Sequence, residues 1–207
     1  MKKREMRIIL CAVLLCLAAG ASANAGLATF QPTPNDLSDL PHDSYFTWGI
    51  NFTLAQDEKI TAATLTFTNI WDWTQENNDH LFVHLFDNPK SGSRSYVDNQ
   101  GGGDNFAGQG ALVSNWSDPV GSKSQNFDLV LDFSSLGLLD TLNNYALTTP
   151  GKNKVNFGFG IDPDCHYYND GVTFTITTET TIPINHIPEP ATIAMLAIGG
   201  ILLRRKR

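Results

Sequence analysis

Short stretches in which polar and apolar residues alternate dominate the middle of the chain. In 64–68 threonines occupy every second position, with Leu65 and Phe67 between them, and 172–177 repeats this arrangement. A period of two places alternate side chains on opposite faces of a β-strand, so each segment has one polar face and one buried face. Strands of this kind are typical of antiparallel sheets packed as a sandwich.

Seven β-rich segments lie between turns of Gly, Asn, Asp and Pro, and no helical period is sustained across them. These segments are 45–54, 60–71, 81–86, 111–115, 127–133, 155–161 and 172–182. One short helix is predicted over 135–145. We therefore predict an all-β fold over residues 26–182, an antiparallel β-sandwich of the jelly-roll kind.

The start of the chain has a different pattern. A basic beginning precedes an apolar run over 8–19, and two overlapping Ala-x-Ala triplets follow over 21–25. This is the order of parts in a secretory signal peptide, and the run is shorter than the roughly 20 residues of a spanning helix. We predict a signal helix within 1–25 that is removed by cleavage after Ala23 or Ala25.

A proline-containing triplet, an apolar segment and a basic cluster end the chain. After a linker at 183–187 come Pro188, Glu189 and Pro190, the apolar segment 191–203, and Arg204, Arg205, Lys206 and Arg207. A helix over these thirteen apolar positions is about 20 Å long against roughly 30 Å of hydrocarbon, which predicts a marginal transmembrane helix. The basic end stays cytoplasmic, and the prolines keep the triplet extended on the outer side.

Residues 187–207 resemble the PEP-CTERM sorting signal, whose triplet, single helix and basic end they match in order. The resemblance implies that an exosortase recognises Pro188, Glu189 and Pro190 and cuts near them. It further implies a membrane-anchored precursor, a final place at the cell surface or in the extracellular matrix, and an association with exopolysaccharide. A plain anchor that is never cut is the alternative.

The charge of the exported part favours cations as partners. Residues 24–187 hold six basic and nineteen acidic side chains, a net charge of −13, whereas the whole chain carries −7. Nucleic acid is excluded as a partner because phosphate binding needs clustered Lys and Arg, while calcium suits an acidic surface. Cys165 is the one cysteine after the predicted cleavage site, so no internal disulfide is predicted.

A calcium site is hypothesised in the loop 162–170. Asp162, Asp164 and Asp170 lie within nine residues, and Asn169 with backbone carbonyls would complete a shell of six to eight oxygens. The alternative is an Asx-rich turn whose side chains bond their own backbone. The neighbouring Cys165 and His166 are not predicted to act as nucleophile and base, because adjacent residues of an extended chain point to opposite faces.

A carbohydrate site is hypothesised around Trp71 and Trp73. The segment 71–80 combines the two indoles with Asp, Asn and Gln, and sugar sites use flat apolar rings beside such polar groups. The alternative is that one of the two indoles lies in the core and the other caps the edge of the sandwich. His84 lies in the middle of a predicted strand and is expected to be an exposed or hydrogen-bonded residue rather than a ligand.

The sequence thus predicts an exported, non-catalytic adhesion or polysaccharide-associated module. A small secreted glycan hydrolase is the alternative. A cleft with two facing carboxylates would distinguish the hydrolase from a binding module.

Overall fold

A computed structural model of the chain describes residues 25–55, 57–73, 79–100, 102–119 and 127–181. Within these residues, Ala25–Thr180 form one compact unit. Its strands are β1 (Ala25–Phe30), β2 (Ser44–Ile50), β3 (Glu58–Ile70), β4 (Leu81–Asp87), β5 (Gly92–Val97), β6 (Ala111–Trp116), β7 (Phe127–Asp132), β8 (Phe157–Pro163) and β9 (Gly171–Thr180), and its helix is α1 (Leu139–Leu147).

The strands form two antiparallel sheets. One has four strands in the order β1-β9-β3-β7, and the other has five in the order β5-β2-β8-β4-β6. Six of the eight connections between consecutive strands pass from one sheet to the other. Most strand pairs therefore join segments that are distant in sequence, and the predicted all-β sandwich is confirmed.

Aromatic rings from both sheets meet in the core between them. The ring of Phe174 on β9 lies 4.9 Å from that of Phe159 and 5.9 Å from that of Phe157, both on β8 in the other sheet. Leu65 and Phe67 on β3 are fully buried, as their alternation with threonine predicts. Edge-to-face packing of this kind adds to the burial of the rings and fixes how the sheets face each other.

Strand β8 is buried on both faces, whereas the strands predicted from alternation have one buried face and one polar face. Its phenylalanines point into the core, and its glycines lie under side chains and loops on the outer face. A Cβ at Gly158 would lie 2.3 Å from the Trp48 carbonyl oxygen, and one at Gly160 would lie 2.5 Å from the Phe86 ring. Only glycine fits under this cover, which explains the Phe-Gly-Phe-Gly sequence.

Two strands were not predicted, and several boundaries differ. Strand β1 begins at Ala25, the last residue of the predicted signal peptide, and β5 is a polar edge strand whose exposed faces carry no hydrophobic alternation. The helix lies at Leu139–Leu147 instead of 135–145, since 134–137 form a turn that closes β7. Strand β8 starts at Phe157 rather than at 155.

The predicted terminal segments lie outside the described residues. These are the signal helix up to residue 24, the linker 183–187, the triplet Pro188 to Pro190, the helix 191–203 and the basic end. Within the described part of the chain, no helix is long and apolar enough to span a membrane.

Candidate functional site

One end of the sandwich brings together the segments that hold the candidate residues. Leu81 at the start of β4 pairs with Pro163 at the end of β8 and with Trp116 at the end of β6. An isolated antiparallel bridge joins Trp71, just after β3, to Tyr168, just before β9. The segments that meet here are 71–73, 79–81, 116–118 and 163–170.

Two of the predicted calcium ligands hold a glycine-rich loop. The buried Asp162 accepts hydrogen bonds from the Asn105 backbone N–H at 2.6 Å and from its side-chain amide at 3.2 Å. Both carboxylate oxygens of Asp164 face the backbone N–H of Gly103, at 3.0 and 3.1 Å. These carboxylates therefore anchor the segment 102–106 to the end of β8.

Asp170, the third predicted ligand, has a different partner. Its carboxylate accepts a hydrogen bond from the Asn69 side-chain amide. The neighbouring Asn169 is committed as well, since its amide donates to the Asp36 carbonyl at 3.0 Å and its own oxygen accepts from Gly171 N–H at 3.0 Å. Asp162, Asp164 and Asp170 do not form a common ligand group in the described part of the chain. Calcium binding by the loop stays a prediction.

Burial raises the pKa values of two carboxyl groups in this loop, Asp162 and Asp164. It raises the pKa of Asp162 to about 6, against the opposing effect of the two donors of Asn105. It also raises the pKa of Asp164, where the Gly103 N–H opposes the effect. The negative charge of Asp98 acts on both carboxyls in the same direction as burial. The loop thus concentrates negative charge that hydrogen bonds only partly offset.

The two predicted sugar-binding indoles belong to a continuous group of four rings. Trp71 stacks on Tyr168 with ring centroids 4.6 Å apart, and His166 stacks on the same Tyr168 at 4.3 Å. Trp73 packs edge-on against Trp71 at 5.6 Å and against Tyr168 at 5.7 Å. We call these residues the aromatic platform: Trp71, Trp73, His166 and Tyr168.

The platform presents one indole to solvent. Trp73 is 66% exposed, whereas its three partners are half-buried. The bridge holds the half-buried rings in place, with Trp71 N–H donating to the Tyr168 carbonyl at 3.0 Å and Tyr168 N–H donating to the Trp71 carbonyl at 2.9 Å. An indole held on a rigid stack can pack against the apolar face of a sugar ring.

An acidic cluster that was not predicted lies on the other face of the same segments. Ligand atoms of Asp72, Asp79 and Cys165 all lie within 4.8 Å of one another. Asp118 adds a further buried carboxylate, which accepts the Asp72 backbone N–H at 3.1 Å. The fully buried Tyr167 completes the surroundings, and its hydroxyl has no hydrogen-bond partner among the described residues.

Burial and neighbouring negative charges favour the protonated forms of Asp72, Cys165 and Tyr167 in the cluster. Burial, followed by the charges of Asp118 and Asp79, raises the pKa of Asp72 to about 7, with the Cys165 thiol acting in the opposite direction. Burial and the nearby carboxylates raise the pKa of Cys165 to about 12. They raise that of Tyr167 too. Each group keeps its proton more readily than in water because a second negative charge here is poorly solvated.

Alternation along the chain explains why the platform and the cluster share segments. Asp72 stands between Trp71 and Trp73, and Cys165 precedes His166, so residues adjacent in sequence belong to the cluster and to the platform in turn. The sequence signal for the cluster was the Trp-Asp-Trp triplet, which has an acid at the inward position of a strand end.

His84 is a structural hydrogen-bonding residue, in agreement with its prediction. Its Nδ1 lies 2.8 Å from the Gln109 carbonyl oxygen and its Nε2 lies 2.9 Å from the Asp104 carboxylate. The ring therefore links β4 to the loop 102–110, whose Phe106 packs under Tyr45 with ring centroids 5.3 Å apart.

Two open cavities lie away from the platform. One, of about 480 Å³, is lined by Tyr96, Tyr145, Gln109 and Asp87 among others, and Asp87 is its one carboxylate. The other, of about 460 Å³, lies beside α1 and contains Glu58 and Asp140. Asp140 is paired with Lys59 at 4.0 Å and its side chain is 92% exposed. Neither cavity holds a pair of enclosed carboxylates.

The sorting residues Pro188, Glu189 and Pro190 lie outside the described residues, as does the basic end. Comparison of the sequence with protein-family models and with curated proteins finds no match.

Proposed function

We propose that this protein is a non-catalytic carbohydrate-binding module of the cell surface, which binds polysaccharide through the aromatic platform. The observation that carries the proposal is the exposed Trp73, packed edge-on against the stacked pair Trp71 and Tyr168. A largely exposed indole offers a flat apolar face to a ligand, and here its packing against other rings restricts its orientation. A preorganised ring loses little conformational entropy on binding.

The polar surroundings of the platform suit a sugar. The exposed carboxylate of Asp170 lies at the end of the segment that holds His166 and Tyr168, while the Nε2 atom of His166 is buried. Hydroxyl groups of a glycan need polar groups such as this carboxylate beside the apolar ring face. Single platforms of this kind bind weakly, which suits a long polymer that offers many equivalent sites.

Burial favours binding over hydrolysis. Glycosidases place two carboxyl groups on either side of the scissile bond, one of them with a raised pKa. Asp72 and Asp79 are close together and Asp72 has a raised pKa, but they are 0% and 4% exposed. A glycosidic oxygen cannot reach carboxyls enclosed in this way without opening the end of the sandwich.

The strand order supports a jelly-roll architecture for the module. Without the edge strand β5, the sheets read β1-β9-β3-β7 and β2-β8-β4-β6, which is the order of a jelly roll. This fold also occurs in lectin domains, and the likeness is one of architecture alone.

Export and sorting complete the proposal. The signal peptide over 1–25 directs the chain across the membrane, and 191–203 with the basic end holds the precursor there. An exosortase then recognises Pro188, Glu189 and Pro190 and releases or transfers the protein to the cell surface or extracellular matrix. Exopolysaccharide at that location is the proposed ligand.

The test is a pull-down of the protein on a series of insoluble polysaccharides, with Trp73→Ala as the diagnostic variant. We expect the wild type to bind at least one polysaccharide and Trp73→Ala to lose at least tenfold in affinity. Tyr96→Ala is the aromatic control, because Tyr96 lines the larger cavity on β5. Binding that is lost in Tyr96→Ala and kept in Trp73→Ala would refute the platform.

A further inference from the structure

The side chain of Asp72 is enclosed without a hydrogen-bond partner. The residue is 0% exposed, and neither carboxylate oxygen has a hydrogen-bond partner among the described residues. No basic side chain of the described part of the chain forms an ion pair with it. A buried charge in this state costs several kcal/mol unless something neutralises it.

Two other groups of types that can bind metals lie near the Asp72 carboxylate. One carboxylate oxygen of Asp79 and the Cys165 sulfur lie within 4.8 Å of an Asp72 oxygen and of each other. The Asp118 carboxylate accepts a hydrogen bond from the Asp72 backbone N–H at 3.1 Å. The unpartnered Tyr167 hydroxyl lies in the same enclosed region.

Protons or a cation can neutralise such a cluster. One proton on Asp72, with the Cys165 thiol as a donor beside it, neutralises that carboxyl and leaves the second carboxyl of the cluster to be neutralised separately. A divalent cation neutralises two carboxylates at once and takes an oxygen from each. A single cation, unlike a single proton, therefore offsets both carboxylates of the cluster.

The sulfur selects the class of metal. Calcium and magnesium take oxygen ligands, whereas zinc accepts carboxylate oxygen and thiolate sulfur together. Zinc bonds of about 2.0 to 2.3 Å in a tetrahedral shell place ligand atoms roughly 3.3 to 3.8 Å apart. The three ligand atoms lie within 4.8 Å of one another, an upper limit that exceeds this spacing by about 1 to 1.5 Å.

We propose that Asp72, Asp79 and Cys165 bind one zinc-class divalent metal ion through two carboxylates and one thiolate. On binding, the Cys165 thiol releases its proton to solvent and its sulfur forms the bond to the metal. The ion joins three segments distant in sequence, 71–73, 79–81 and 163–167, at the end of the sandwich. This assignment does not depend on glycan binding.

The test uses the full-length chain, stripped of metal with a chelator and then titrated with cobalt(II), whose spectrum reports its ligands. A thiolate ligand gives an intense near-ultraviolet charge-transfer band, which we expect at one equivalent and which zinc should abolish by displacement. Millimolar calcium should leave the band unchanged. Absence of the band in the wild type, or displacement of cobalt by calcium, overturns the proposal.

Variants of the proposed ligands test which residues give rise to the cobalt charge-transfer band. Cys165→Ser should abolish it, and Asp72→Asn should weaken cobalt and zinc binding at least a hundredfold. Asp140→Asn is the matched control, since it removes an exposed carboxylate and should bind like the wild type. Far-ultraviolet circular dichroism checks that each variant keeps its β structure. A band that persists in Cys165→Ser, or affinity that is unchanged in folded Asp72→Asn, overturns the ligand assignment.

Discussion

Trp71 and Tyr168 are joined twice, by a reciprocal pair of backbone hydrogen bonds of 3.0 and 2.9 Å and by stacked rings 4.6 Å apart. This pair connects the end of β3 to the start of β9. It holds the exposed Trp73 outward and the acidic Asp72 inward, so one local contact supports both the aromatic platform and the acidic cluster.

We expect the two indoles of the platform to contribute differently to the stability of the fold. Trp73→Ala should change the free energy of unfolding by at most about 0.5 kcal/mol, because the side chain is largely exposed. Trp71→Ala should lower it by about 2 kcal/mol, because the stack on Tyr168 is lost. Chemical denaturation measures both. Equal destabilisation by the two variants would contradict the arrangement of the rings.

Asp72 predicts an unusual dependence of stability on pH in the metal-free protein. Its pKa is about 7 in the folded state against an ordinary 3.8, so the folded state binds the proton more tightly. The free energy of unfolding should therefore fall as the pH rises from about 4 to about 7, by up to about 4 kcal/mol. Asp79, Asp118 and Cys165 are the titratable groups that face it.

Asp72→Asn isolates this effect. The amide cannot ionise, so the variant should be more stable than the metal-free wild type at pH 7.5 and close to it at pH 4. Denaturation curves at both pH values, with chelator present, provide the measurement. A variant that is less stable than the wild type at pH 7.5 would show that the carboxylate is stabilising as it stands.

Cys165 should react slowly in the metal-free protein. Burial and the nearby carboxylates raise the pKa of its thiol to about 12, so little thiolate is present at neutral pH. We expect alkylation of Cys165, followed by peptide mass spectrometry, to be at least tenfold slower in the folded protein than in urea. Fast labelling under folding conditions would mean that the Cys165 thiol is accessible and that nearby carboxylates do not disfavour its thiolate.

Calcium binding by the loop 162–170 is still to be tested, and the hydrogen bonds determine which variant is informative. A hundredfold excess of calcium over its dissociation constant should raise stability by about 2.7 kcal/mol, or several degrees in melting temperature. Asp162→Asn is a poor probe because it disturbs the donors of Asn105 without any metal. Asp170→Asn is better, since Asp170 is exposed and an asparagine oxygen can still accept the hydrogen bond from the Asn69 amide.

In that experiment, Asp170→Asn should remove the calcium-dependent shift with little effect on the calcium-free protein. A wild-type melting temperature unmoved by millimolar calcium would leave Asp162 and Asp164 with the role the hydrogen bonds describe, as anchors of the segment 102–106.

Cleavage at both ends of the chain should give a mature protein of defined mass. The mature chain should begin at Asn24 or Gly26, and the first choice keeps Ala25, which pairs with Glu179 in the sheet. Glu189→Ala should leave a larger, membrane-retained species if an exosortase recognises the triplet. Mass spectrometry of envelope and medium fractions measures both ends. Identical masses for wild type and variant would exclude processing at the triplet.

The sequence by itself determined the fold class and most of the strands. The strict alternation of Thr with Leu65 and Phe67 determines which face of β3 is buried, because side chains of a strand alternate whatever the strand pairs with. The polar edge strand β5 has no such signal, since an edge strand with two wet faces needs no hydrophobic pattern.

Only the tertiary structure decided which polar residues share a site. Asp162, Asp164 and Asp170 are neighbours in sequence, but hydrogen bonds direct them to Asn105, Gly103 and Asn69 instead of toward one another. Asp72, Asp79 and Cys165 span more than ninety positions and still meet within 4.8 Å. The reason is physical: six of eight connections cross between the sheets, so strand pairing sets the neighbours at the end of the sandwich.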